Sequence, residues 1–156
     1  MKPNQEPITG KEQQGDLSSP YQALVQFYCA FNGADMKMMS DNWAQSDEVA
    51  MDNPLGGIKR GWHEIRSVYE KIFNGNTKVY VEYFDYTIYE VADMFYTVGR
   101  ERGYFHSVDT EVTLAIRTSR IFKKVDGNWK QVHHHGSIED PQLLAQYQST
   151  ILRNRY

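Results

Sequence analysis

Residues 1–16, MKPNQEPITGKEQQGD, carry no apolar period, and the polar run predicts a disordered leader over residues 1–17. From Pro20 onward apolar residues recur at helical spacing, at Leu24, Phe27, Tyr28 and Phe31. Ser19 is a candidate N-cap, Pro20 suits the first turn, and Asn32-Gly33 stops the helix. Asp35 opens a second, short helix through Met36, Met39 and Trp43. Val49, Ala50 and Met51 form a short extended piece that runs into the loop DNPLGG. A third helix is predicted from about Gly61 to Phe73, with Trp62, Ile65, Val68, Tyr69, Ile72 and Phe73 as its apolar stripe.

The pattern then changes to strand. KVYVEYFDYTIYEV, ADMFYTVGRERGYF, TEVTLAIRTSRIFKKV and NWKQVHHHGS are rich in β-branched and aromatic residues, and Asp126-Gly127-Asn128 reads as a tight hairpin turn. Asp140-Pro141 opens a final helix with Leu143, Leu144, Tyr147 and Ile151 on one side. Helices segregated from a run of strands predict an α+β fold. The expected form is a cone-shaped, strongly curved antiparallel or mixed sheet. Three N-terminal helices lie over its concave face and a C-terminal helix is added. Such a cone encloses a ligand pocket. The expected division is a leader at 1–17, the domain at 18–140 and a C-terminal helical extension at 141–156.

Composition narrows the function classes. Lys+Arg 17 against Asp+Glu 20 gives a net charge of −3, which argues against a nucleic-acid-binding surface. No apolar run reaches the ~20 residues of a membrane helix, and the N-terminal stretch has no secretory signal pattern. The single cysteine, Cys29, excludes an intrachain disulfide and a multi-cysteine metal site. The expectation is a soluble, cytoplasmic protein with no nucleic-acid or membrane partner.

Strand alternation nominates the site. Val112, Leu114, Ile116, Thr118, Arg120 and Phe122 share a face that is apolar except at Thr118 and Arg120. An arginine on such a face needs a partner. It is either a pocket-floor group for a carboxylate or phenolate, or a structural ion pair with an internal acid such as Asp85, or a surface residue at a strand end. On the last strand Trp129, Gln131, His133, His135 and Ser137 share one side. His135 is a candidate acid/base, and His133 is more simply a cavity-wall residue. No third ligand is spaced to complete a metal site with these histidines, so neither metal nor cofactor is expected. Arg100 and Arg102 share a face with Tyr96, Val98 and Tyr104. His63 and Arg66 stand one helical turn apart at the expected pocket mouth, where the simpler reading is solvated charge.

Residues 119–137, SRIFKKVDGNWKQVHHHGS, match a known pattern: Arg120, Phe122, Asp126-Gly127, Trp129, His133, His135 and Ser137. With GWHEIRSVYEKIF, Arg100 and Tyr104 as weaker matches, the chain resembles the nuclear transport factor 2-like superfamily. Within it, it resembles SnoaL-like domains related to the calcium/calmodulin-dependent protein kinase II association domain. The resemblance covers about residues 18–138. It implies the cone fold and a pocket-facing Arg120, but the superfamily hosts enzymes, binders and assembly modules alike. The loop MDNPLGG resembles that of the superfamily's ketosteroid isomerases, yet Asn53 stands where their acidic base would be. Phe27 and Thr118 stand at or near the places of their oxyanion groups. That mechanism is therefore not expected.

The functional expectation is a small organic acid or aromatic ligand held by Arg120, Arg100, His133, His135, Tyr104, Thr118 and Trp129. The alternatives are a cofactor-independent cyclase, isomerase or dehydratase using His135 as its catalytic acid/base, and a homo-oligomeric association module. A homodimer is the expected state.

Overall fold

A computed structural model describes residues 1–153 of the chain. Helices α1 (Pro20–Asn32) and α2 (Met36–Asn42) are followed by the short strands β1 (Ala50–Asp52) and β2 (Ile58–Arg60) and then by helix α3 (Trp62–Phe73). The long strands β3 (Lys78–Val91), β4 (Met94–His106), β5 (Glu111–Val125) and β6 (Asn128–Ser137) follow, and α4 (Pro141–Arg153) ends the described chain. Of the C-terminal segment expected to be helical, residues 154–156 lie outside the described residues. The fold is α+β, with one six-stranded sheet in the order β2-β1-β6-β5-β4-β3. Pairing is antiparallel except between β1 and β6, so the sheet is mixed. β2 was not read from the sequence: three residues inside a Gly-rich loop are too short to show an alternation.

Local chemistry sets the boundaries. Asp35 caps α2 by accepting from the Met38 amide at 2.9 Å. Ser19 has the extended backbone of an N-cap but makes no side-chain cap bond, so α1 begins on Pro20. Asp126 and Gly127 both have positive φ, 49° and 82°, as a two-residue hairpin turn with right-handed strand twist requires. The core lies between the helices and one face of the sheet. Phe27 and Tyr28 of α1 and Tyr69 of α3 bury against Phe95, Phe122, Trp129 and their neighbours. Tyr147 of α4 packs edge-on against Phe105 at 5.4 Å, and Gln148 donates to the Leu55 carbonyl at 3.1 Å.

The leader is not disordered. Asn4 and Ile8 exchange backbone hydrogen bonds with Tyr86 and Tyr83 at 2.8–3.1 Å, which extends the sheet beyond β3. Ile8 is fully buried. Asn32 ties both strands together, donating to the carbonyls of Thr9 and Val81 and accepting from the Val81 amide. Gly10, at φ 80°, lies so close to α1 that a Cβ would stand 2.5 Å from Tyr28 and Cys29 backbone atoms. A polar sequence orders here because the edge of β3 supplies partners for its backbone.

Two bulges change which side chains face inward. In β3 the register slips between Phe84 and Thr87, with Asp85 at φ 50°, and both Tyr83 and Tyr86 become buried. Phe95 and Phe105 of β4 also belong to the core.

Candidate functional site

Arg120 enters the interior from β5 on the predicted face, with Leu114, Ile116, Thr118 and Phe122 all buried beside it. Its side chain is 1% exposed. Nη2 donates to Glu101 Oε1 and Nη1 to Gln131 Oε1, each at 2.8 Å, and the guanidinium lies 3.6 Å from the centre of the Phe27 ring. Glu101 Oε1 also accepts from the Tyr28 hydroxyl at 2.7 Å. Arg120 is thus paired inside the protein, and its acid is Glu101 of β4. Asp85 is on the outer side, 3.6 Å from Arg100. Burial opposes the charge on Arg120, but the facing oxygens of Tyr28, Glu101 and Tyr69 outweigh it and hold the guanidinium firmly protonated. Burial pushes the Tyr69 phenol up to about 12, against the pull of Arg120.

A bulge in β6 decides which histidine faces this cluster. Phe122 pairs with Gln131 and Ile121 with His133, so Val132 is the extra residue. Trp129 and Gln131 point inward before the bulge and His134 after it; His135 turns outward. The expectation that His133 and His135 line the interior is therefore corrected. His134 is 8% exposed, and its Nε2 lies 2.9 Å from Thr118 Oγ1. The Thr118 hydroxyl donates its one proton to the His135 carbonyl at 3.0 Å, so it accepts from His134 Nε2–H. This hydrogen-bond logic leaves Nδ1 as a bare acceptor. Burial, reinforced by the charge of Arg120, holds the imidazole well below its usual 6.5 and so neutral.

Gln131 Nε2 and His134 Nδ1 are buried without a hydrogen-bond partner; Trp43 Nε1 and Arg120 Nε make no well-formed bond either, but the Tyr69 hydroxyl faces both residues. Their residues adjoin: Arg120 bonds Gln131, Trp43 bridges to Gln131 in the sheet, and Phe27 packs against both Arg120 and His134. One amide donor and one imidazole acceptor thus stand unsatisfied beside Arg120 and Trp43 among aromatic rings.

The other expected site residues separate from this cluster. Trp129 is buried, but its Nε1 donates to the Ser18 carbonyl at 2.7 Å and ties β6 to the start of α1. Arg100 and Tyr104 share a face as expected, and it is the outer one. Tyr104 stacks on Tyr80 at 5.6 Å and Arg100 bonds Glu139 at 2.8 Å. His133 is half-buried on the outward side of the bulge. His135 Nδ1 lies 3.3 Å from Asp52 Oδ2. Asn53 accepts from the Leu55 amide and shapes the loop. His63 and Arg66 are exposed, and Arg66 pairs with Glu70 within α3. Among the described residues, no group of three or more His, Cys, Asp or Glu side chains is placed to hold a metal. No described helix is long and apolar enough to cross a membrane. An outer cavity of about 370 Å³ is lined by Arg100, Arg117, Thr118, Ser119, His135 and Ser137, among others.

Glu101 was not singled out from the sequence, although alternation puts it on the face of β4 away from Arg100 and Arg102; Gln131 was already grouped with Trp129 on one side of the last strand. His134 had no signal, because nothing in VHHHGS marks the position of the bulge.

The family model for the SnoaL-like domain matches residues 21–141. No curated protein matches the chain. A nuclear transport factor 2-like superfamily protein from Salmonella enterica has 17% identity and a TM-score of 0.69, with 78% of this chain and 89% of that chain covered. The association domain of the Caenorhabditis elegans calcium/calmodulin-dependent protein kinase II has 20% identity and a TM-score of 0.62, covering 76% and 92%. A protein with a cystatin-like fold from Caulobacter vibrioides has 20% identity and a TM-score of 0.63, covering 89% and 99%. At these identities the likeness is one of fold.

Proposed function

The chain belongs to the SnoaL-like domain family, and on that premise we propose that it is a small-molecule-binding domain whose ligand is held inside the cone at Arg120. The observation that carries this reading is the pair of unpartnered buried atoms on Gln131 and His134, with the N–H groups of Arg120 and Trp43 poorly satisfied beside them. Buried polar groups cost about 1–3 kcal/mol each when left unsatisfied, so a ligand that satisfies them gains that much in binding. Glu101 already balances the charge of Arg120. A carboxylate would bring a second, uncompensated charge into the interior. The chemistry favours an uncharged aromatic compound with carbonyl and hydroxyl groups. Carbonyl oxygens accept from Arg120 Nε, Gln131 Nε2 and Trp43 Nε1, while a hydroxyl donates to His134 Nδ1. Phe27, Tyr69 and Trp43 offer rings for stacking. Because Arg120 is closed from solvent, the ligand enters when a wall element moves. We assign that role to α4, held to the body by Tyr147 and Gln148.

The test is a thermal-shift series with hydroxyacetophenones and hydroxynaphthoquinones on the wild type and on Gln131→Leu and His134→Phe. A saturable rise of several degrees in the wild type, reduced in both variants, is expected. No shift with any member, or an equal shift in the variants, contradicts the reading.

A second reading, self-association as a homodimer, is favoured by exposed Tyr89, Tyr96, Val98 and Tyr104 on the outer face. Sedimentation velocity at micromolar concentration decides it: a single dimeric species supports it and a monomer removes it.

A further inference from the structure

Arg100 and Arg117 stand directly opposite each other across β4 and β5. Like charges in that relation destabilise a sheet. Here one carboxylate bridges them: Glu139 Oε2 lies 2.8 Å from Arg100 Nη1, and Oε1 lies 3.4 Å from Arg117 Nη1. Glu139 precedes the cap of α4, is about half exposed, and has its carboxyl held below the usual range chiefly by the hydrogen bond from Arg100. Of the other acids nearby, Asp85 also faces this pair, with Oδ2 3.6 Å from Arg100 Nε. Asp85 accepts from Gln5 at 2.7 Å, and Asp52 faces His135.

The pair lines the outer cavity of about 370 Å³. Pro3 of the ordered leader, Asp85 and Thr87 form one wall, Val98 and Ser119 contribute to the floor, and His135 and Ser137 form the other side. Arg100 also borders a smaller cavity of about 220 Å³ that reaches Arg102 and Glu139.

We infer that this groove is a second binding site, specific for small aromatic carboxylates, and that Glu139 is its built-in competitor. The carboxylate takes the place of Glu139 between Arg100 and Arg117, and the ring lies over Val98. Ser119 in the floor, with Ser137 and His135 on the far side, offers hydroxyl and imidazole groups to the ligand. An exposed ion pair is easily exchanged, because it contributes little net stability. The ligand class differs from that of the interior, which already holds its own acid.

Benzoate is the probe, titrated into the full chain by calorimetry. Glu139→Gln removes the competitor, leaves the Asp140 cap of α4 in place, and is expected to tighten benzoate about fivefold, the most an exposed pair is worth. Adding Arg117→Ala to that variant is expected to abolish saturable binding. Gln131→Leu, whose side chain bonds Arg120 and no residue lining the groove, is expected to leave benzoate binding unchanged, which separates this site from the interior one. Glu139→Gln binding no more tightly, or Arg117→Ala still binding, overturns the inference. So does a sedimentation profile in which benzoate acts only by shifting a monomer–dimer equilibrium, since the groove is then an interface.

Discussion

Arg120 and Glu101 share a hydrogen bond of 2.8 Å between side chains that are 1% and 6% exposed, so neither charge has solvent to fall back on. Removing one partner leaves a buried, uncompensated charge, which costs about 3–5 kcal/mol, whereas removing both together costs much less. Glu101→Gln is expected to lower unfolding free energy by about 3 kcal/mol in urea. Glu101→Gln with Arg120→Met is expected to recover part of that loss. Equal destabilisation by the single and double variants would show that the pair does not act as a unit.

His134 sets a pH dependence whose sign is fixed. Its folded pKa lies well below 6.5, so below that pH the unfolded chain binds a proton that the folded chain refuses. Stability is then full above about pH 6.5 and falls as the medium becomes more acid, by up to about 1.4 kcal/mol per pH unit. Burial is the main cause, with Arg120, His133 and His135 adding repulsion. Urea midpoints between pH 7.5 and 5 are expected to fall less steeply in His134→Gln than in the wild type. Parallel slopes would assign the acid sensitivity elsewhere.

The leader is part of the folded domain. Ile8→Ala removes a fully buried side chain and is expected to cost about 2–5 kcal/mol. Gly10→Ala combines a positive φ with a 2.5 Å clash and is expected to detach the segment. Limited proteolysis checks this: the wild type resists cleavage within residues 1–16, and Gly10→Ala is cut there quickly.

Tyr147 anchors α4 by packing against Phe105, with its phenol pushed up to about 12 by burial. Tyr147→Ala is expected to cost about 3 kcal/mol or less of global stability, because the helix leaves without unfolding the sheet. The same variant is expected to speed ligand association severalfold in stopped-flow fluorescence. Association at the wild-type rate would remove α4 as the moving wall.

Element type and order were largely written in the pattern of apolar positions, and the Asp126-Gly127 turn and the inward face of β5 followed from rules that act within a few residues. The errors arose where the tertiary structure overrides alternation. One extra residue, Val132, turns His135 out and His134 in, and no local propensity marks it. The leader is polar and yet ordered, because its partners are 75 or more residues away on β3. Arg100 and Arg102 drew attention as charges on one face. Glu101 between them, on the opposite face, is the residue that pairs with Arg120. The resemblance implied a pocket-facing Arg120; the structure buries it against Glu101, an acid of which the resemblance gave no account.

The most direct test of the interior site is a proton–nitrogen NMR titration with a hydroxynaphthoquinone that follows the Arg120 Nε–H and Trp43 indole N–H signals. The account predicts that both move and saturate together, with Arg100 and Arg117 unaffected. Saturable shifts confined to Arg100 and Arg117, with Arg120 and Trp43 unmoved, would contradict it.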